Sequence, residues 1–258
     1  MPTIQENLLG WTNFHWTHQG EEWSTPWHGT EFLWWGTLFP RIHAFVPTDT
    51  ILEIAPGFGR VTHYLKDFCK SLTVVDLAER CIEACKQRFS SFSHITYHVN
   101  DGMSLAMIPD HSVDFVISYD SLVHAEADVI ECYLSQLVGK LKPNGVGFIH
   151  HSNLGASITP LGELLPPIRK RLRQPWRAKS MTAKLFEQYC ENVGLQCVSQ
   201  ELINWATKYP LPIDCISLFT PKNSVWARPN IIYKNMKFTY EASYLGKLSD
   251  LYSSSSFK

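Results

Sequence analysis

Ile51-Leu52-Glu53-Ile54-Ala55-Pro56-Gly57-Phe58-Gly59-Arg60 is an apolar run that breaks into a glycine-containing turn and passes into a stretch where Val61, Leu65 and Phe68 share one helical face. The predicted elements are a strand, a turn and a helix. At the carboxyl end of a parallel strand, glycines let the backbone approach a ligand, and the amides opening the next helix face a negative group. A dinucleotide-binding turn carries a third glycine where Thr62 stands, for close helix packing beneath a pyrophosphate. Its absence argues against NAD and FAD.

On either side, short β-branched runs alternate with amphipathic stretches, the pattern of βαβ units. Strands are predicted over 50–55, 72–76, 95–100, 113–119, 146–151, 195–203 and 214–220. Ile82, Cys85 and Phe89 share one helical face, and Ile130, Tyr133, Leu134, Leu137 and Leu141 share another that Pro143-Asn144-Gly145 ends. A later helix near 183–192 closes at Gly194. Seven strands fit one doubly wound, mostly parallel α/β sheet.

The strand ends carry the chemistry. The second closes Val74-Val75-Asp76-Leu77, placing a carboxylate 23 residues after Glu53, where it can accept both hydroxyls of a ribose. A nucleoside without pyrophosphate fits. The third closes Asn100-Asp101-Gly102-Met103, where Asp101 can accept from an adenine amino group and Met103 can lie against the ring. The fourth closes Ser118-Tyr119-Asp120-Ser121-Leu122-Val123-His124, facing the same crevice.

In these residues the chain resembles the class I S-adenosylmethionine-dependent methyltransferases, in detail over 50–153 and loosely to 220. The resemblance implies a Rossmann-like fold and S-adenosylmethionine as cofactor. Glu53, Ala55, Gly57 and Gly59 match the motif that holds the methionine part, Asp76 and Leu77 the ribose motif, Asp101 and Gly102 the adenine motif, and Asp120 the fourth motif. Met103, Tyr119 and Trp23 join them as candidate cofactor contacts. Ala55 stands where the usual pattern has its first glycine, so a slightly altered loop is expected. The implied organisation is an aromatic N-terminal lid over 1–45, a core over 46–222 with a substrate-binding insertion at 154–182, and a C-terminal extension over 223–258.

Residues 1–35 hold six of the nine tryptophans and no Lys or Arg. Gly20-Glu21-Glu22-Trp23-Ser24-Thr25-Pro26-Trp27-His28-Gly29-Thr30-Glu31 resembles the lid of natural-product and sugar O-methyltransferases. Such a lid excludes water and offers cation–π contact to a sulfonium. Trp23, Trp27 and Trp34 are the lid candidates, the last two toward substrate; covering apolar surface is the other role open to them.

Methyl transfer from a sulfonium gains from alignment, and a hydroxyl nucleophile gains from a general base. His124 is the candidate base, with Asp120 and His151 beside it; packing against the next helix is its alternative role. His150 is a candidate substrate contact, although neighbours on a strand point to opposite faces, so His150 and His151 make a poor metal pair. No tight ligand spacing favours a metal. The stretch Arg169-Lys170-Arg171-Leu172-Arg173-Gln174-Pro175-Trp176-Arg177-Ala178-Lys179 follows the fifth strand; Arg171 and Arg173 are candidates for gripping an anionic substrate, and a solvated helix is the alternative.

With 23 Lys plus Arg against 24 Asp plus Glu, no global basicity steers the chain to nucleic acid, and Asn-Pro-Pro-Tyr, typical of base methylation, is absent after the fourth strand. No apolar run approaches the roughly 18 residues that span a bilayer, and the first residues lack a signal-peptide pattern. The seven cysteines show no CxxC pair and read as buried thiols. The expectation is a cytoplasmic enzyme that O-methylates a small secondary metabolite or sugar. Carboxyl or amine methylation of a peptide or amino acid is the alternative, and a cofactor-binding subunit of a biosynthetic complex is the non-enzymatic one. The oligomeric state is open, a dimer included.

Overall fold

A computed structural model describes residues 3–157, 176–205 and 211–253. Eight strands form one sheet in the order β3-β2-β1-β4-β5-β7-β6-β8. They are β1 Thr48–Ile54, β2 Cys69–Asp76, β3 Ile95–Val99, β4 Val113–Ser118, β5 Leu141–Ser152, β6 Leu195–Ile203, β7 Asp214–Pro221 and β8 Ile231–Asn235. Five of the seven pairings are parallel; β7 runs antiparallel to both of its neighbours. Strand order reverses where β1 lies between β2 and β4, which opens a crevice at their carboxyl ends.

The central strands read as nearly unbroken apolar runs because both of their faces are covered. Ile51, Val74, Phe115 and Phe148 enter one apolar cluster, while Leu52, Val75, Val116 and Ile149 enter the other. Residues adjacent in sequence thus feed opposite layers. The helices Ala127–Lys140 and Ala183–Val193 cover the second face through Ile130, Leu134, Leu137 and Phe186.

Two expectations need correction. The sheet has eight strands of mixed orientation, not seven: β8 pairs parallel to β6 from within the C-terminal extension. Ile231, Ile232, Tyr233 and Lys234 are all exposed, so no alternation of apolar and polar residues marks the strand in sequence. Trp27 and Trp34, expected at the lid, are 1% and 0% exposed and belong to the core. The Trp27 ring lies 4.9 Å from that of Trp205 and its Nε1 donates to Thr37 Oγ1 at 2.8 Å; Trp34 stacks on Tyr64 at 5.2 Å. They share an apolar cluster with Ile51, Val74 and Phe115 on one face of the sheet. No helix among the described residues is long and apolar enough to cross a membrane.

Candidate active site

The crevice beyond β1, β2 and β4 is a cavity of about 430 Å³, within the roughly 300–1,000 Å³ of small-molecule sites. At one end the chain leaves β1 through three left-handed residues, Ala55 (φ 58°), Gly57 (φ 57°) and Gly59 (φ 79°). The turn survives an alanine in that region because both its polar groups are tied: the Ala55 N–H donates to Val75 O at 2.7 Å, and Ser121 Oγ donates to Ala55 O at 2.7 Å. A Cβ on Gly57 would stand 3.1 Å from the Trp16 ring, so a bare backbone faces the cavity there. Gly59 is different. It does not line the cavity, and a Cβ on it would meet the Phe89 ring at 2.6 Å, so it serves the packing of the turn.

Two buried carboxyls line this end. Glu53 accepts from Thr62 Oγ1 at 2.5 Å, and burial pushes it up to about 7. Asp76 accepts from the amides of Ala78 at 2.8 Å and Gly57 at 3.1 Å, yet burial still raises it to about 6. Leu77 and Gly102 complete the wall. Asp101 does not. Its carboxylate accepts from the amides of Met103 at 2.9 Å and Ser104 at 2.7 Å, bonds that hold it below its ordinary value, and neither Asp101 nor Met103 lines the cavity. The turn after β3 takes up Oδ1 of the acid expected to meet adenine. Ile4 of the helix Ile4–Asn13 stands in that place, 2.9 Å from where a Gly102 Cβ would lie.

At the other end stand Tyr119, Asp120, His124, Arg60, Arg177 and Trp205. Asp120 is left-handed (φ 60°) and is held from three sides. Arg60 Nη2 donates to its Oδ2 at 2.8 Å, Trp205 Nε1 donates to its Oδ1 at 3.3 Å, and its own amide donates to His150 Nδ1 at 3.1 Å. Burial alone would raise the Asp120 carboxyl, but Arg60 and neighbouring cations bring it below its ordinary value. Because an amide only donates, His150 Nδ1 is the bare nitrogen and Nε2 carries the proton, 3.3 Å from Asp214 Oδ2. His150 therefore supports Asp120 from below; it is fully buried and does not line the cavity.

His124 lines the cavity, and its Nδ1 bonds the Trp176 carbonyl. A carbonyl only accepts, so Nδ1 holds the proton and Nε2 is the basic nitrogen. Burial pushes the imidazole below its ordinary value and the Arg177 charge acts the same way, which keeps the ring neutral near pH 7. The ring sits 5.1 Å from that of Trp11. His151 lies on the other face of β5, stacked on Phe186 at 4.5 Å and bonded to Ser217 Oγ at 2.8 Å. Burial drives it down to about 3, so it is a neutral core residue outside the cavity, and the catalytic role expected of it is corrected.

Over both ends lies an aromatic cover of Trp11, Phe14, Trp16, Trp23 and Trp176. Trp23, a candidate from its segment, lines the cavity with them; Trp11, Trp16, Trp176, Trp205, Arg60 and Arg177 were not singled out as site residues from sequence. A composition signal existed for the tryptophans, since residues 1–35 hold no cation for them to accompany. Arg171 and Arg173 lie outside the described residues. Among the described residues no three His, Cys, Asp or Glu side chains group to hold a metal ion.

S-Adenosylmethionine fits this donor set. Gly57 offers a close backbone approach, Asp76 and Glu53 offer carboxyl acceptors, and Leu77 and Gly102 offer a flat apolar wall.

Residues 51–145 match the methyltransferase domain family. Nodulation protein S of Sinorhizobium fredii is 30% identical over 100 residues, 38% of this chain and 45% of that protein. Phosphoethanolamine N-methyltransferase 1 of Triticum aestivum is 29% identical over 118 residues, 44% of this chain and 24% of that protein. The chain thus spans less than half the length of these curated relatives. Among solved structures, N-methyltransferase NodS from Bradyrhizobium japonicum WM9 in complex with S-adenosyl-L-homocysteine superposes with a TM-score of 0.55 at 17% identity, covering 84% of this chain and 96% of that one. A protein of Pyrococcus horikoshii OT3 superposes with a TM-score of 0.54 at 22% identity, covering 72% and 88%. These likenesses show the fold, and residues 51–145, which carry the glycine turn, both buried acids and the His124 segment, match the methyltransferase domain family, whose cofactor is S-adenosylmethionine.

Proposed function

We propose that the chain methylates a heteroatom of a small molecule that enters beneath the aromatic cover. The observation that carries this reading is the fixed tautomer of His124, whose basic Nε2 belongs to the same cavity as Glu53 and Asp76. Bound at the Gly57 end, S-adenosylmethionine supplies an activated methyl group on a sulfonium. Asp76 and Glu53 hold the nucleoside and methionine portions, and the tryptophans exclude water. Asp120, locked by Arg60 and Trp205, shapes the acceptor pocket, and His124 Nε2 takes the proton that the acceptor atom must lose.

Nitrogen is the favoured acceptor, supported by the N-methyltransferase names of the relatives. A hydroxyl is the second reading, favoured by the neutral base at His124, which an oxygen nucleophile needs more than an amine does. Incubation with methyl-labelled S-adenosylmethionine and matched small amines, sugars and short peptides, read by mass spectrometry, tests both. Label on an amine supports the first reading and label on a hydroxyl the second. Failure to bind S-adenosylhomocysteine at all would overturn the proposal.

A further inference from the structure

Arg177 is the one cation of the stretch 169–179 that the described residues place in the crevice. Two clips fix its backbone against the fourth strand's exit: His124 Nδ1 bonds the Trp176 carbonyl, and the Ala178 N–H donates to Val123 O at 3.0 Å. The guanidinium therefore shares one frame with the imidazole. Its side chain is 7% exposed, and Nη2 lies 3.0 Å from Asp214 Oδ2. Asp214 is fully buried behind it and anchors the charge from the side away from solvent. Nε is also buried and has no hydrogen-bond partner among the described residues.

A buried guanidinium donor left without a partner is destabilising, a cost that a bound acceptor removes. The other crevice guanidinium is already committed: Arg60 donates through Nη1 to Ser24 Oγ at 2.9 Å and through Nη2 to Asp120 at 2.8 Å. Aromatic rings supply the rest of the cover above His124, so the unspent donor of Arg177 sets the polarity of the acceptor end.

We infer that Arg177 binds an anionic group of the methyl acceptor, a carboxylate or a phosphate, so that the substrate is a small molecule carrying that anion a few bonds from the atom methylated at His124. This rests on the methyltransferase reading above. Arginine suits both anions because its planar donors pair with two oxygens at once.

Calorimetric titration of the full chain with sodium acetate and with inorganic phosphate, at constant ionic strength, tests the inference with S-adenosylhomocysteine bound and again without it. The expected result is saturable binding of at least one anion, weakened about tenfold or more in the Arg177→Gln/Asp214→Asn double variant, which leaves no unpaired buried charge. Arg177→Lys keeps a charge without the Nε donor and should weaken binding by less, providing a second arm should the double variant fold poorly. An acetate response without a phosphate response assigns a carboxylate, and the reverse assigns a phosphate. No saturable binding of either anion to the wild-type protein, or equal binding by wild type and variants, overturns the inference. Anion binding that persists where S-adenosylhomocysteine does not bind would keep the subsite and overturn the methyltransferase reading instead.

Discussion

Asp76 is 7% exposed, and burial lifts its carboxyl from 3.8 to about 6. At pH 6 about half of the unliganded molecules carry it protonated, and at pH 5 about ten in eleven do. Ribose hydroxyls donate to the charged form and stabilise it, so cofactor binding should pull this carboxyl well down. With a bound value below about 4, binding at pH 6 expels about half a proton, and affinity for S-adenosylhomocysteine rises about tenfold between pH 5 and pH 7. Titration calorimetry in buffers of different protonation heat measures both quantities. In Asp76→Asn the part of the slope due to Asp76 disappears, and what remains belongs to Glu53, whose carboxyl burial raises to about 7. The same shift has the opposite sense in the unliganded fold. A carboxyl raised on folding weakens the fold as pH climbs from about 4 to 6, because the unfolded chain releases its proton first; for Asp76 that amounts to about 3 kcal/mol. The rise in melting temperature given by the cofactor should accordingly be larger at pH 7 than at pH 5. Affinity that is flat with pH and proton-neutral, or an unchanged slope in Asp76→Asn, would refute the assignment of Asp76 to the ribose.

Three further outcomes follow from the same geometry. His124→Gln should lower turnover by about 10²–10⁴-fold while leaving S-adenosylhomocysteine affinity unchanged, measured by single-turnover kinetics beside a binding titration. Trp34→Ala empties a fully buried site and should cost about 3–5 kcal/mol in urea unfolding, whereas Trp23→Ala, at a residue 39% exposed, should shift stability by only about 0.5 kcal/mol and act on ligand affinity instead. Gly147→Ala would set a Cβ 2.1 Å from the Phe219 ring and should lower stability by about 1–3 kcal/mol, read as a lower urea midpoint with unchanged slope.

The central sheet was legible in sequence because strands such as β1 and β4 are buried on both faces and must be apolar throughout. β8 was not, since Ile231, Ile232, Tyr233 and Lys234 face solvent and it is pairing with β6 that makes it a strand. The crevice acids show how far position reaches. Spacing placed Asp76 and Asp101 alike at strand ends, and both accept backbone amides, yet only Asp76 is buried in the cavity wall. The tryptophans were legible as a group and not individually: sorting Trp11 and Trp23 to the cover and Trp27 and Trp34 to the core depends on how the first 45 residues fold over the sheet. Arg60 had no signal at all. Immediately after Gly59 it reads as a solvated cation, and only the pairing of β1 with β4 brings it to Asp120.

Asp120 joins these levels. A non-glycine residue in the left-handed region costs about 1–2 kcal/mol and persists only where its surroundings fix it. Here the sheet fixes its backbone through His150 and the turn after β1 fixes its carboxylate through Arg60. Arg60 in turn bonds Ser24 Oγ, and Ser24 Oγ bonds Thr30 Oγ1 at 2.8 Å, so the covering segment closes the same chain of contacts that holds the pocket floor. Displacing the segment around Ser24 removes one support from Arg60, which loosens its grip on Asp120 and frees a strained backbone to relax. The cover and the acceptor pocket are therefore coupled through one ion pair, buried to about nine-tenths on both sides, where solvent screening is weak and loss of a partner is felt most.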